Sequence, residues 1–110
     1  MKKVVRDKTA EEIYLEDVNL VSEHILLIYE KRIYTIMTMS MDGDNFYQIV
    51  ELRTKRISQS RWLTEDEMKI TIQEDIKNDA DVYVFGKYQE MYVTIAEVLK
   101  RDWDENNKKT

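Results

Sequence analysis

Residues 53 to 62, RTKRISQSRW, put four cations into a window that holds no acid, inside a 110-residue chain whose formal net charge is −5. Such a cluster is suited to anion recognition. Arginine forks match phosphate oxygens two at a time, and the flat ring of Trp62 offers a surface on which a base can stack. On a regular strand Arg53, Lys55 and Arg61 share one face, with Arg56 opposite. Similar parts recur later, where Lys100, Arg101 and Trp103 follow a helical stretch and Phe85 ends a short apolar run. Arg53, Arg56, Arg61, Trp62, Phe85 and Arg101 are therefore the candidates for holding a nucleotide-like anion between strand and helix ends. The same cations have a plainer use, which is to balance residues 64 to 81, where seven carboxylates face two lysines.

Other chemistries have less to work with. His24 is the single histidine, and Ser22 and Glu23 stand near it without any group that would activate the serine, so no catalytic pair is expected. With one histidine and no cysteine, a zinc site of nitrogen and sulfur ligands is excluded, as are disulfides. Asp42, Asp44 and Asn45 lack the spacing of a calcium loop, and Asp79 and Asp81 read as a solvated loop. Neighbouring acids such as Asp66 and Glu67, or Glu74 and Asp75, diverge by about 100° on a helix and both face water, which suits solubility better than paired acid and base work. No glycine-rich phosphate loop occurs. The expectation is a protein that is not an enzyme and carries no cofactor or metal.

The elements that would position the basic cluster follow from periodicity. HILLIYEKRIYTIMTM reads as two strands, about 24 to 29 and 32 to 40, around Glu30 and Lys31. Asp42 and Gly43 open a hairpin into a third strand, about 45 to 52, because glycine takes positive φ freely and aspartate tolerates it. KRISQSRWL, residues 55 to 63, continues as a fourth, and EIYLEDV offers an earlier one. Thr64 with Glu67 is a capping box, flanked by Leu63 and Met68 as a hydrophobic staple, and starts a helix that ends near Asn78. DVYVF is a buried strand returning to the sheet. Tyr88, Met91, Tyr92, Ile95, Val98 and Leu99 form one stripe of a second helix, about 87 to 102. The class is α+β: an antiparallel meander of four to five strands, then helix, strand, helix, with both helices on one sheet face. Residues 1–110 form a single domain, with 1 to 10 and 103 to 110 as loose ends.

The strands are apolar on both sides. Ile33, Met37 and Met39 point one way and Tyr34 and Ile36 the other; Phe46, Val50 and Leu52 oppose Tyr47 and Ile49. If two helices cover one face, the other is buried by curvature or by a second subunit, and a homodimer is the leading expectation. The acidic balance argues against a grip on duplex DNA, no stretch approaches a membrane span, and the absence of cysteine fits the cytoplasm.

The order of HILLIYEKRIYTIMTM, NFYQIVEL, RWLTEDEMKITIQEDIKN and DVYVFGKYQEMYVTIAEVLK resembles small bacteriophage proteins that blunt host immunity, and is most similar to the Thoeris anti-defence family of signal sponges. The resemblance spans residues 20 to 101 and is one of pattern, so no pocket residue is carried over. It implies an N-terminal antiparallel sheet, C-terminal helices, a dimer, and sequestration of a cyclic ADP-ribose isomer at the subunit interface, in the host cytoplasm. Two alternatives remain open. One is an acidic inhibitor that offers the carboxylates of Glu65 to Asp81 to a basic surface of a host enzyme; the other is a structural or assembly dimer without ligand.

Overall fold

The continuous apolar run Ile25, Leu26, Leu27, Ile28 dictates the architecture, because a strand without alternation must be covered on both faces. The computed structural model describes residues 3–6, 11–54, 56 and 61–108. Six strands, β1 (Lys3–Arg6), β2 (Glu11–Tyr14), β3 (His24–Tyr29), β4 (Arg32–Met41), β5 (Asp44–Glu51) and β6 (Asp81–Phe85), form one sheet in the order β2-β1-β6-β3-β4-β5. Helix α1 (Glu65–Lys77) lies between β5 and β6 in sequence, and α2 (Tyr88–Lys108) follows β6. Every strand pairing is antiparallel except that of β1 with β6.

The meander is built by two tight turns of the same hand. Asp42 and Gly43 take φ of 53° and 84° between β4 and β5, the mirror-image turn that matches strand twist. Glu30 and Lys31 take φ of 49° and 67° between β3 and β4, although neither is glycine or asparagine. Left-handed backbone costs such residues about 1–2 kcal/mol each.

The α+β class and the antiparallel meander are as expected; the placement of the helices is not. Ile25 and Leu27 of β3 join Val82 and Val84 of β6, Tyr47 and Ile49 of β5, and Met68 and Ile72 of α1 in one core. Leu26 and Phe85 join Ile33 and, from α2, Met91, Ile95 and Val98 in another. Alternate residues of the same strands thus feed different cores, so the helices cover opposite faces and not one. The second apolar face, expected to be covered by curvature or by a second subunit, is covered by α2 at Leu26, Ile33 and Phe85, while Met37 stays exposed.

Three boundaries also differ. Lys3–Arg6, expected to be loose, is β1, held by main-chain pairing with β2 on one side and β6 on the other. The strand expected in EIYLEDV ends at Tyr14, and Leu15–Asp17 form a single 3-10 turn that buries Leu15. Helix α2 continues to Lys108, past its expected end at 102, with Lys31 at 3.9 Å from Glu105 near its C-terminus. The strand expected over 55 to 63 falls largely outside the described residues. At its flanks Glu51 N donates to Arg56 O, and Leu63 and Tyr47 exchange both main-chain bonds at 2.8 Å.

Opposite-face packing makes a specific expectation. Leu26 is fully buried under α2 and Leu27 is 2% exposed under α1. Leu26→Ala and Leu27→Ala should each lower stability by about 2–5 kcal/mol in urea unfolding. A near-neutral effect at either position would mean that one face of β3 is wet.

Candidate functional site

The candidate anion residues are best taken with the contacts each makes. Arg61 precedes α1 and turns its guanidinium onto Glu67: Nη1 donates to Oε1 at 3.2 Å, and Nη2 pairs with Oε2. Glu67 is meanwhile the closing member of the capping box, accepting from Thr64 N at 3.1 Å while Thr64 Oγ1 accepts from Glu67 N at 3.3 Å. The hydrogen bond from Arg61, and after it those from Thr64, hold the Glu67 carboxyl down to about 2. Arg61 therefore completes a helix start. Trp62 beside it is half-buried.

Arg53 and Arg56 are exposed just beyond β5. The ordered chemistry here centres on the buried Glu51, whose Oε2 accepts from Thr54 Oγ1 at 3.0 Å and lies 4.0 Å from Arg32 Nη1. Lys55, also read as part of the basic face, lies outside the described residues. Phe85, expected to open toward a ligand, is instead 1% exposed in the core under α2. Arg101 is exposed on α2 and lines a shallow depression with Ile28, Tyr83 and Glu97. Arg61 is bound to α1 and Arg101 sits on α2, so the sheet separates them. His24 stacks edge-on against Tyr88, ring centroids 5.0 Å apart, and Tyr88 meets Tyr92 in the same way at 4.6 Å.

A different constellation was passed over in the sequence. A cleft of about 300 Å³ opens between the sheet and the C-terminal half of α1. Leu27, Tyr29, Tyr34 and Ile49 line it from β3, β4 and β5. Thr71, Asp75 and Asn78 line it from the helix side. Period-two geometry explains the sheet wall: Leu27, Tyr29, Tyr34 and Ile49 all point to the α1 side. Helical period explains the other: Thr71 and Asp75 are four apart and so share a face, and Asp75 is half-buried where a solvated acid was expected.

The one charged side chain that lines the cleft is an acid, Asp75, with Lys77 the cation in the same turn of α1. Burial, and after it the charge of Glu74, pushes the Asp75 carboxyl up. The Tyr29 phenol is pushed up first by the charge of Glu30, then by burial, by a hydrogen bond to Glu30, and by the charges of Asp79 and Asp75. The charges of three acids thus act on one phenol that lines the cleft. The cations next along the chain are directed elsewhere, Lys31 to Glu105 and Arg32 to Glu51. Among the described residues no three acids or histidines come close enough to hold a metal ion. The polarity of the acids acting on Tyr29 matches the C-terminal end of α1, which is the negative pole of the helix dipole. The adjacent tyrosines of YEKRIY and the i, i+4 pair Thr71 and Asp75 were the available signal.

Asp79 shares a feature with Glu30. It follows the C-cap Asn78 at φ of 70°, a position where glycine is the usual residue. At both turns beside the cleft an acid stands where the backbone would favour glycine or asparagine.

Comparison with known proteins returns no matching family model, no matching curated protein and no matching solved structure. Among the described residues no helix is long and apolar enough to cross a membrane.

The two shifted carboxyls predict opposite pH behaviour. Glu67 is lowered, so its contribution is complete above its ordinary value near 4.5 and is lost as pH falls toward about 2. Glu67→Gln should flatten that acid limb in pH-dependent unfolding. Asp75 is raised, so its protonated form favours the fold and stability declines as pH rises through its folded value. Asp75→Asn should raise the midpoint at pH 7, and the gain should vanish in acid.

Proposed function

We propose that the protein is a non-enzymatic binding protein whose acidic α1 side engages a basic surface of a partner protein. The observation that carries this reading is that the charges of Glu30, Asp79 and Asp75 all act on Tyr29, which lines the cleft with Asp75, while Lys31 and Arg32 are directed to Glu105 and Glu51. Such a surface steers a basic partner and selects against acidic ones, which is what charge complementarity contributes to recognition. It fits the class of small phage-type antagonist implied by the sequence resemblance, acting as an inhibitor of a host enzyme.

A second reading, sequestration of a cyclic nucleotide signal, has its own support in the exposed guanidinium groups of Arg53 and Arg56 and in the depression beside Arg101. It draws less from Arg61, which is engaged by Glu67, and from Phe85, which is core. A homodimer belongs to that reading. The exposed stripe of α2, Tyr88, Tyr92, Leu99 and Trp103, is the surface such a second copy would use.

The readings separate in a paired experiment. A lysine- and arginine-rich peptide is titrated calorimetrically at low and high salt, and a panel of cyclic nucleotides and cyclic ADP-ribose isomers is followed by native mass spectrometry. The expected result is saturable peptide binding, weakened by salt, lost in Glu74→Lys/Asp79→Lys and retained in Glu97→Lys/Asp104→Lys, which carries the same charge change on α2. Equal losses in the two double variants would reduce the effect to net charge and sink the reading. A nucleotide adduct released unchanged on denaturation, and abolished by Arg53→Ala/Arg56→Ala, would put sequestration in its place.

A further inference from the structure

The cleft beside α1 is small and mixed in polarity. Its volume of about 300 Å³ stands at the bottom of the ~300–1,000 Å³ range of small-molecule sites. That is room for one side chain. Its floor is apolar, with Leu27 and Ile49; its walls carry the phenol rings of Tyr29 and Tyr34; and its polar acceptors, the Asp75 carboxylate and the Asn78 amide, come from one end of α1. Thr71 Oγ1 donates to Glu67 O at 2.9 Å, which leaves its lone pairs, and not its proton, for a ligand. The groups offered to an occupant are therefore mostly acceptors and π-faces. An occupant that is flat, cationic, rich in N–H donors and carried on an apolar stem satisfies all of them.

Resting on the reading of an acidic surface that engages a basic protein, we infer that this cleft takes a single arginine side chain of the partner, with its stem on Leu27 and Ile49 and its guanidinium between the tyrosine rings and the Asp75 carboxylate. Arginine is favoured over lysine because its planar fork stacks on aromatic faces, meets a carboxylate with two parallel bonds and is the more weakly hydrated cation. The rim acids explain themselves under the same assignment. Glu30 and Asp79 hold left-handed backbone positions that glycine or asparagine would occupy more easily, and the charges of both act on Tyr29.

The test uses the full chain and three blocked tripeptides that differ only at the central residue: arginine, lysine or citrulline, the last being the neutral isostere of arginine. Backbone amide shifts are followed by NMR. The expected result is saturable movement at Leu27, Thr71 and Ala80, with the arginine peptide favoured over citrulline by about tenfold or more, as loss of a charged, two-bond contact implies. Asp75→Asn should remove that preference while the fold is retained. Asp79→Asn, which the local backbone accepts more readily, should weaken the arginine peptide without loss of stability. Equal response to arginine and citrulline, or shifts that follow Glu65 and Asp66 at the other end of α1, would overturn the cleft assignment; equal affinity for lysine would overturn the choice of arginine. Any of these leaves the broader reading standing if the longer basic peptide still binds and still loses affinity in Glu74→Lys/Asp79→Lys. Failure of that longer peptide sinks the broader reading itself.

Discussion

Two-sided burial of the β3–β6 pair is the constraint on which the rest of the molecule depends. Each strand sends alternate residues into different cores, Leu27 and Val84 toward α1, Leu26 and Phe85 toward α2. Neither helix could be lost without exposing a row of large apolar side chains, so the helices are fixed to the sheet by the same residues that fix its centre. The order of strands follows. β6 enters between β1 and β3, which places the most apolar strands inside and leaves the mixed β2 at one edge. Because α1 occupies one face, its C-terminal end must come down over the β3–β4 turn, and the cleft is the space left where helix and turn fail to meet.

That geometry also accounts for where strain is carried. A two-residue turn between β3 and β4 requires positive φ at both positions, and the end of α1 requires it at Asp79. Glycine or asparagine would serve the backbone better at each. The chain does use glycine for this purpose at Gly43, in the hairpin remote from the cleft. Asp42 beside it takes φ of 53° as well, so an acid at positive φ is not confined to the cleft; what marks Glu30 and Asp79 is that their charges act on Tyr29. Residues that break a local rule are expected where a surface has work beyond folding.

Much of the fold was legible in short-range signals. Asp42–Gly43 gave the hairpin, Thr64 with Glu67 gave the start of α1, and the stripe from Met91 to Val98 gave α2, because turns, caps and periodicity act over a few residues and are written in a few residues. What could not be read locally was which face each helix covers. The run from Ile25 to Ile28 held the answer, since four consecutive apolar residues on a strand mean burial on both sides, yet it became decisive only beside Val82, Tyr83, Val84 and Phe85, some 55 residues away. The apolar second face was expected to be met by curvature or by a second subunit; α2 covers its centre, Leu26, Ile33 and Phe85, while Met37 and Met41 stay exposed. The candidate site was less legible still. Four cations in one window drew attention to RTKRISQSRW, whereas Tyr29, Tyr34 and Asp75 stand in three separate elements and share no motif.

The fate of Arg61 shows how a folding contact can take up one cation of a charge cluster. A guanidinium is a good phosphate ligand only if no carboxylate holds it first, and here Glu67 is held in place by the cap of its own helix, with its proton affinity lowered to about 2 by the same bonds. The pairing costs little, because Arg61 and Glu67 flank a turn that must form in any case. The acids at the other end of α1 are in the reverse position. Asp75 is raised by burial and by Glu74, and Glu30 and Asp79 add charge of the same sign around Tyr29. A cation entering there relieves repulsion that folding has imposed, whereas an anion entering beside Arg61 must first displace an ion pair that folding has made. In a chain with more acids than bases, like charges held together at the end of α1 opposite its cap leave a field that an entering cation relieves.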